Sequence, residues 1–277
     1  MRLPANATRR PVPVGAVNVS FLPVALASLS LVGVAVALGR WYRLGIERDL
    51  IVASARAAAQ LLVVGVIFTA IFESSRSMLW AWVWIGAMVV MSTAVVVRRS
   101  VESIRSVPVV AALSIVMVVG MTLAVTFGFD VLEFDSVALV VIAGITIGNA
   151  VPSAVLGLNL AIASARERSG EIEALLSLGF DRAAVVRYMA PRAANTALIP
   201  QIERTKVVGL IALPGTMTGL LLAGVDPLDA VAIQLLVMYL VLGGAAVCVV
   251  ALVAAVMRDA VDESLSLAAW ARSRGQA

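Results

Sequence analysis

Apolar residues run along this chain in long unbroken stretches, separated by short clusters of arginine, acidic and turn-forming residues. Seven such stretches cover about 14–39, 50–72, 78–97, 108–129, 136–165, 195–224 and 228–257. A helix needs roughly 20 apolar residues to cross a bilayer, and every stretch supplies them. The fifth and sixth exceed that need, so their ends project into water or tilt. The short alternation of apolar and polar positions that marks the strands of an outer-membrane barrel is missing. The pattern therefore predicts an all-α integral membrane fold, a polytopic helical bundle of about seven transmembrane helices. With neither an internal repeat nor a low-complexity linker, residues 1–277 read as one transmembrane domain.

Composition narrows the class. The chain is 61% hydrophobic and 14% charged, whereas a soluble domain is about half apolar and a quarter charged. A large extramembrane catalytic domain has no room. The net charge of +4 has no aromatic-interleaved basic cluster behind it, which argues against nucleic acid as a partner. Instead the cations follow the loops. The connections at 40–49, 98–107, 166–206 and 258–277 hold 16 of the 21 Arg and Lys residues, against 4 in the opposite set. The first set is cytoplasmic by the positive-inside rule, which places the C-terminus inside and the N-terminus outside. Arg2, Arg9 and Arg10 run against the rule locally and also suit the n-region of a signal peptide ending near Ala27. The apolar run beyond them, to about Gly39, is longer than a cleaved h-region.

The connection at 166–192 carries a second pattern. Between Gly170 and Gly179, Ile172, Leu175 and Leu176 recur at i, i+3 and i+4, the stripe of a short amphipathic helix. Glu171 and Glu173 suit the positive end of its dipole. Gly179 suits a left-handed C′ stop, and Asp181 an N-cap for the next helix. A helix this short is unstable alone, which fits docking into a partner's groove. An amphipathic connector lying on the membrane surface is the competing reading.

Glu173-Ala174-Leu175 followed by Gly179 resembles the EAA loop of ABC transporter permeases. Leu175 stands where that pattern has a second alanine, and Pro191 comes one residue early. The flanks Gly144-Ile-Thr-Ile-Gly-Asn149, Gly157-Leu-Asn159, Val208 to Gly219 and Ala223-Gly-Val-Asp-Pro227 resemble the iron-export (FetB-like) permease family, whose plant relatives are aluminium-tolerance proteins. Ala53-Ser-Ala-Arg56 with Gln60 fits the same family. The resemblance covers about 45–257. It implies a transmembrane permease domain in the plasma (inner) membrane and a homodimer with a separate ABC ATPase subunit. It also implies that Glu173, Ala174, Leu175, Leu176 and Gly179 couple to that ATPase, with a metal ion, iron moving outward, as cargo. ATP would be used through the partner, with no cofactor bound by this chain. Related plant proteins suggest a sugar nucleotide as an alternative cargo.

One inference stands without the family. A P-loop needs a lysine after its second glycine and a hydroxyl residue after the lysine. Lys206, the only lysine, follows Thr205 and precedes Val207, so this chain has no P-loop and is not expected to be an enzyme. It also has no histidine, and Cys248 is its one cysteine, which removes intrachain disulfides, Cys/His metal cages and histidine catalysis. The metal ligands of any cargo site are left unassigned.

Polar residues within the spans are candidates for the translocation path, each with a structural alternative. Arg56 and Gln60 share a face of the second span, where snorkelling also explains the arginine. Asn149, Pro152, Ser153 and Asn159 interrupt the fifth span, as a path lining or as a kinked packing helix. Gly144 and Gly148 form a small-xxx-small face. Pro214, Gly215, Thr216, Met217, Thr218 and Gly219 break the sixth span near its middle, and broken helices mark binding sites when they line a cavity. Glu203 and Lys206, with Arg204, pair and bound that span at its cytoplasmic end. A self-sufficient ion-coupled carrier or channel is the competing function.

Overall fold

The computed structural model describes residues 21–272. The signal-peptide alternative, with Arg2, Arg9 and Arg10, falls on residues outside that range. The chain divides into two compact units between Ser77 and Met78.

In the first unit, α1 (Phe21–Trp41) and α2 (Glu47–Phe72) pack against each other across a turn that places Gly45 at φ +71°. A side chain at Gly39 would press within 3.3 Å of Ile46, so the glycine lets the helices approach at the turn.

The second unit contains α3 (Ser77–Arg98), α4 (Val107–Gly128), α5 (Ser136–Glu167), α6 (Ser169–Ser177), α7 (Arg182–Lys206), α8 (Gly215–Leu222) and α9 (Pro227–Asp259). No strand occurs among the described residues. Among the described residues, five helices, α2, α3, α4, α5 and α9, are long and apolar enough to cross a membrane, against the seven spans expected. The protein is a polytopic all-α membrane protein.

The two longest helices form the centre. α5 and α9 have 32 and 33 residues, about 48 Å each at 1.5 Å per residue, and α4 and α7 pack against them. Their N-terminal ends are fixed by capping aspartates. Asp135 accepts the Ala138 amide at 2.6 Å, and Asp226 accepts the Leu228 amide at 3.0 Å ahead of Pro227. Each satisfies an amide that the first helical turn leaves unpaired.

Close packing falls on glycines other than the expected pair. Gly148 has open space around it and Gly144 meets only Met88. The tight contacts are at Gly157, where an added Cβ would lie 3.0 Å from Val249, and at Gly244, where it would lie 2.7 Å from Val118 and 3.3 Å from Thr146. Gly244 is where α4, α5 and α9 converge. Gly244→Val is therefore expected to cost about 1–3 kcal/mol by overpacking, read as a lower midpoint in thermal unfolding of the purified protein. Gly148→Val should leave that midpoint unchanged.

The C-terminal end of α5 and the α3–α4 connection are tied by the segment after α9. Arg166 pairs with Glu102 and donates to the Trp270 carbonyl at 3.0 Å, while Trp270 Nε1 donates to the Asp259 carbonyl at 3.2 Å. Asp262 accepts from Ser264 and Ser266, and these bonds hold its carboxyl well below the usual carboxylate range.

Two expectations about the helices change. α5 runs unbroken through Asn149, Pro152, Ser153 and Asn159, because removing one amide bond at Pro152 leaves the packing against α9 and α7 to hold the helix. The break in the sixth span lies at 207–214, ahead of the predicted 214–219, with Pro214 capping the second half. α7 itself begins at Arg182 and passes through both Pro191 and Pro200.

Candidate functional site

The break in the sixth span opens on a cavity. After Lys206 the backbone turns through Gly209 at φ +85°, with the Gly209 amide donating to the Ala212 carbonyl at 3.0 Å. The chain then restarts as α8 at Gly215, and Pro214, as N-cap, offers no side-chain bond to the first amides. The space beside this break has a volume of about 430 Å³. Its walls come from α5 (Ile145, Asn149), α7 (Gln201, Arg204, Thr205), α8 (Gly215, Thr216) and α9 (Gln234, Val237, Met238, Val241).

Its depth follows from the helix register. Arg204 reaches Asn149 and Ala197 sits against Gly157, so α7 runs antiparallel to α5. Asn149 is about 20 Å along α5 from its outer end at Ser136, and Gln234 about 10 Å along α9 from Pro227. Asn159, nearer the inner end of α5, already holds the cytoplasmic α3–α4 connection. Its Nδ2 donates to the Arg99 carbonyl at 3.0 Å and its Oδ1 accepts the Val101 amide at 3.1 Å. The cavity therefore lies between about 10 and 20 Å from the N-terminal ends of α9 and α5.

This depth corrects the placement of Glu203, Arg204 and Lys206. They do not bound the span at its cytoplasmic end, since α7 starts at Arg182 and carries them about 33 Å outward. Their predicted pairing is present, with Lys206 Nζ donating to Glu203 Oε1 at 2.7 Å, at the end of α7 far from Arg182. Arg204 Nη1 donates to Asn149 Oδ1 at 2.8 Å, and Asn149 Nδ2 in turn donates to the Ile145 carbonyl at 2.8 Å. Arg204 takes part in none of the three ion pairs among the described residues. Gln234, which lines the same cavity, is 8% exposed and its Oε1 has no hydrogen-bond partner.

The other predicted path residues divide. Asn149, Pro214, Gly215 and Thr216 line the cavity. Met217, Thr218 and Gly219 continue into α8 outside its lining, and Thr218 Oγ1 donates to the Pro214 carbonyl at 3.1 Å. Pro152 is exposed, Ser153 is buried in the α5 core, and neither lines the cavity. Arg56 and Gln60 belong to α2 in the first unit, both exposed. Sequence reasoning missed Gln201 and Gln234. Their signal was an uncharged amide within an apolar run, which has no period to reveal its face.

Between α5 and α7, α6 forms as expected and closes with a Schellman motif. Gly179, at φ +83°, donates to the Leu176 carbonyl at 2.9 Å, and Phe180 donates to the Leu175 carbonyl at 3.1 Å. Asp181 then caps α7 through the Ala184 amide at 2.8 Å. Ile172 is fully buried, and Leu175 and Leu176 are half-buried against the bundle. The exposed face instead carries Glu173 and Ala174, followed by Leu178 and Phe180, 76% and 47% exposed. Arg168 pins α6 to α7, binding Glu171 at 2.5 Å and lying 5.6 Å over the Tyr188 ring. The Arg168 bond holds the Glu171 carboxyl below its ordinary range. A wider recess of about 1240 Å³ lies nearby, where Arg182, Arg187 and Arg258 face Asp181, Asp259 and Glu263.

The described residues contain no cluster of three His, Cys, Asp or Glu side chains able to hold a metal. The cavity offers amide, hydroxyl and backbone groups with one guanidinium.

A family model described as an uncharacterised protein family, UPF0014, matches residues 22–261. The UPF0014 membrane protein YjkA of Bacillus subtilis is 34% identical over 231 residues, covering 80% of this chain and 90% of its own. The probable iron export permease protein FetB of Escherichia coli is 29% identical over 228 residues, covering 82% and 87%. The Arabidopsis thaliana protein ALUMINUM SENSITIVE 3 is 30% identical over 224 residues, covering 80% of both chains. No solved structure matches the chain.

Proposed function

The chain belongs to the UPF0014 family, and from that premise we propose that it is the permease subunit of an ABC transporter. It works as a homodimer with a separate ATPase in the plasma membrane. The observation that carries this reading is α6: a nine-residue helix between α5 and α7, internally pinned and capped, and followed at once by the exposed Leu178 and Phe180 in an arginine-rich stretch of the chain. A connector lying on the membrane would turn its apolar stripe to lipid, but here Ile172 is buried in the protein. The chain has no P-loop of its own, so ATP-driven work requires a partner subunit.

The cavity at the broken helix supports the transport part of the proposal, since irregular backbone at bilayer depth is tolerated where it lines a polar space. The Glu203–Lys206 pair supports the dimer. Its side chains are more than half exposed on the single chain, and charges facing lipid cost about 2.5–3.5 kcal/mol each. A second copy or a water-filled path must cover them. Export of a metal ion such as iron follows from the relative named as an iron export permease.

The test uses cells expressing the chain alone, with its cognate ATPase, or with that ATPase disabled at its P-loop lysine. Lower cellular iron and better survival of iron stress are expected only with the intact ATPase. An equal effect in all three arms would favour a self-sufficient carrier. No effect in any arm, with the protein confirmed in the membrane, would move the search to a non-metal cargo such as a sugar nucleotide.

A further inference from the structure

We propose that the cavity beside the broken helix is an oxyanion site, built for a phosphate or carboxylate group that also carries a hydrogen-bond donor. Three features of the cavity converge on that chemistry. Arg204 lines it and spends one bond on the neutral Asn149, with no acidic partner within ion-pair distance. Its side chain is exposed at the cavity, so its charge is free to meet a ligand anion. The second feature is α8, whose first turn at Gly215 and Thr216 opens on the same space without a capping side chain. Amides at a helix start favour an anion through both their free N–H groups and the dipole.

The third feature, Gln234, sets the kind of anion. More than nine-tenths buried on α9, it lines the cavity with an Oε1 that has no partner. An orphaned acceptor at this depth costs about 1–3 kcal/mol, which a ligand hydroxyl or N–H would recover. A fully deprotonated oxyanion such as sulfate offers no such donor; hydrogen phosphate and hydroxycarboxylates do. The nearby acid Glu203 does not cancel the site, because Lys206 already holds it.

The site goes beyond the transport reading and does not depend on the ATPase. It bears on cargo, since a metal ion passing Arg204 would do so complexed by oxyanion ligands rather than as a bare cation. That last step alone rests on the metal reading.

The experiment measures binding by the purified full chain in nanodiscs of zwitterionic lipid. Probes are labelled inorganic phosphate, citrate and sulfate, with a parallel arm in which anionic phospholipid replaces free phosphate. Phosphate and citrate are expected to bind, and sulfate about tenfold more weakly. Arg204→Gln should weaken all three by about tenfold or more. Gln234→Leu should remove the preference for phosphate over sulfate while keeping the thermal midpoint, because it deletes an unpaired group. Thermal stabilisation in the lipid arm without binding of free phosphate would assign the oxyanion to a lipid headgroup. Absence of binding in every arm would overturn the proposal. So would divalent-cation binding that improves in Arg204→Gln.

Discussion

Leu178→Asp is expected to abolish capture of the ATPase by the tagged permease while leaving membrane insertion and the thermal midpoint unchanged. Leu178 is 76% exposed, two residues from Phe180, on the loop that closes α6. An apolar anchor of this kind in a partner's groove contributes about 2–4 kcal/mol, so its loss weakens association roughly 30- to 1000-fold. Phe180→Asp should act in the same direction. Leu175→Asp also reduces capture, but through a second route, because Leu175 is half-buried against the bundle and a charge there destabilises α6 as well. The thermal midpoint separates the two mechanisms. Normal co-purification of the Leu178→Asp and Phe180→Asp proteins with an active ATPase would refute the coupling role of this face.

Lys206→Met is expected to be more damaging than loss of both members of its pair. Alone it leaves Glu203 without its cation at bilayer depth, at a cost of about 2.5–3.5 kcal/mol. Glu203→Gln combined with Lys206→Met removes both charges and should recover most of that loss, since an ion pair in a poorly solvated setting gains little over neutral residues. The measurement is thermal unfolding in nanodiscs for the single and double variants, with the dimer fraction read alongside. If each single variant matched the wild type, Glu203 and Lys206 would be solvated, and their placement within the bilayer would be wrong.

The features legible in sequence were local or set by length. The stretches at 108–129, 136–165 and 228–257 became α4, α5 and α9 with ends shifted by at most two residues, because crossing length and flanking charge depend on nothing beyond the segment. Gly179 and Asp181 were readable for the same reason: a C′ glycine and an N-cap aspartate each act within a few residues of their own position.

The cavity was not legible in this way. A helix that is apolar all round shows no stripe, so its sequence does not say which side faces protein. That is why Gly157 and Gly244, rather than Gly144 and Gly148, make the close approaches, and why Asn159 serves a loop while Gln234 lines the cavity. Arg204 shows the same limit. By itself the run Glu203-Arg204-Thr205-Lys206 reads as a cytoplasmic boundary, because charges ordinarily mark where a helix leaves the bilayer. The sequence by itself determined the class, the long apolar helices α4, α5 and α9, and the short capped helix α6. Only tertiary packing decided the cavity, because the start of α7 at Arg182 and its register against α5 carry Arg204 to Asn149 midway along α5, beside a cavity that α9 lines with Gln234.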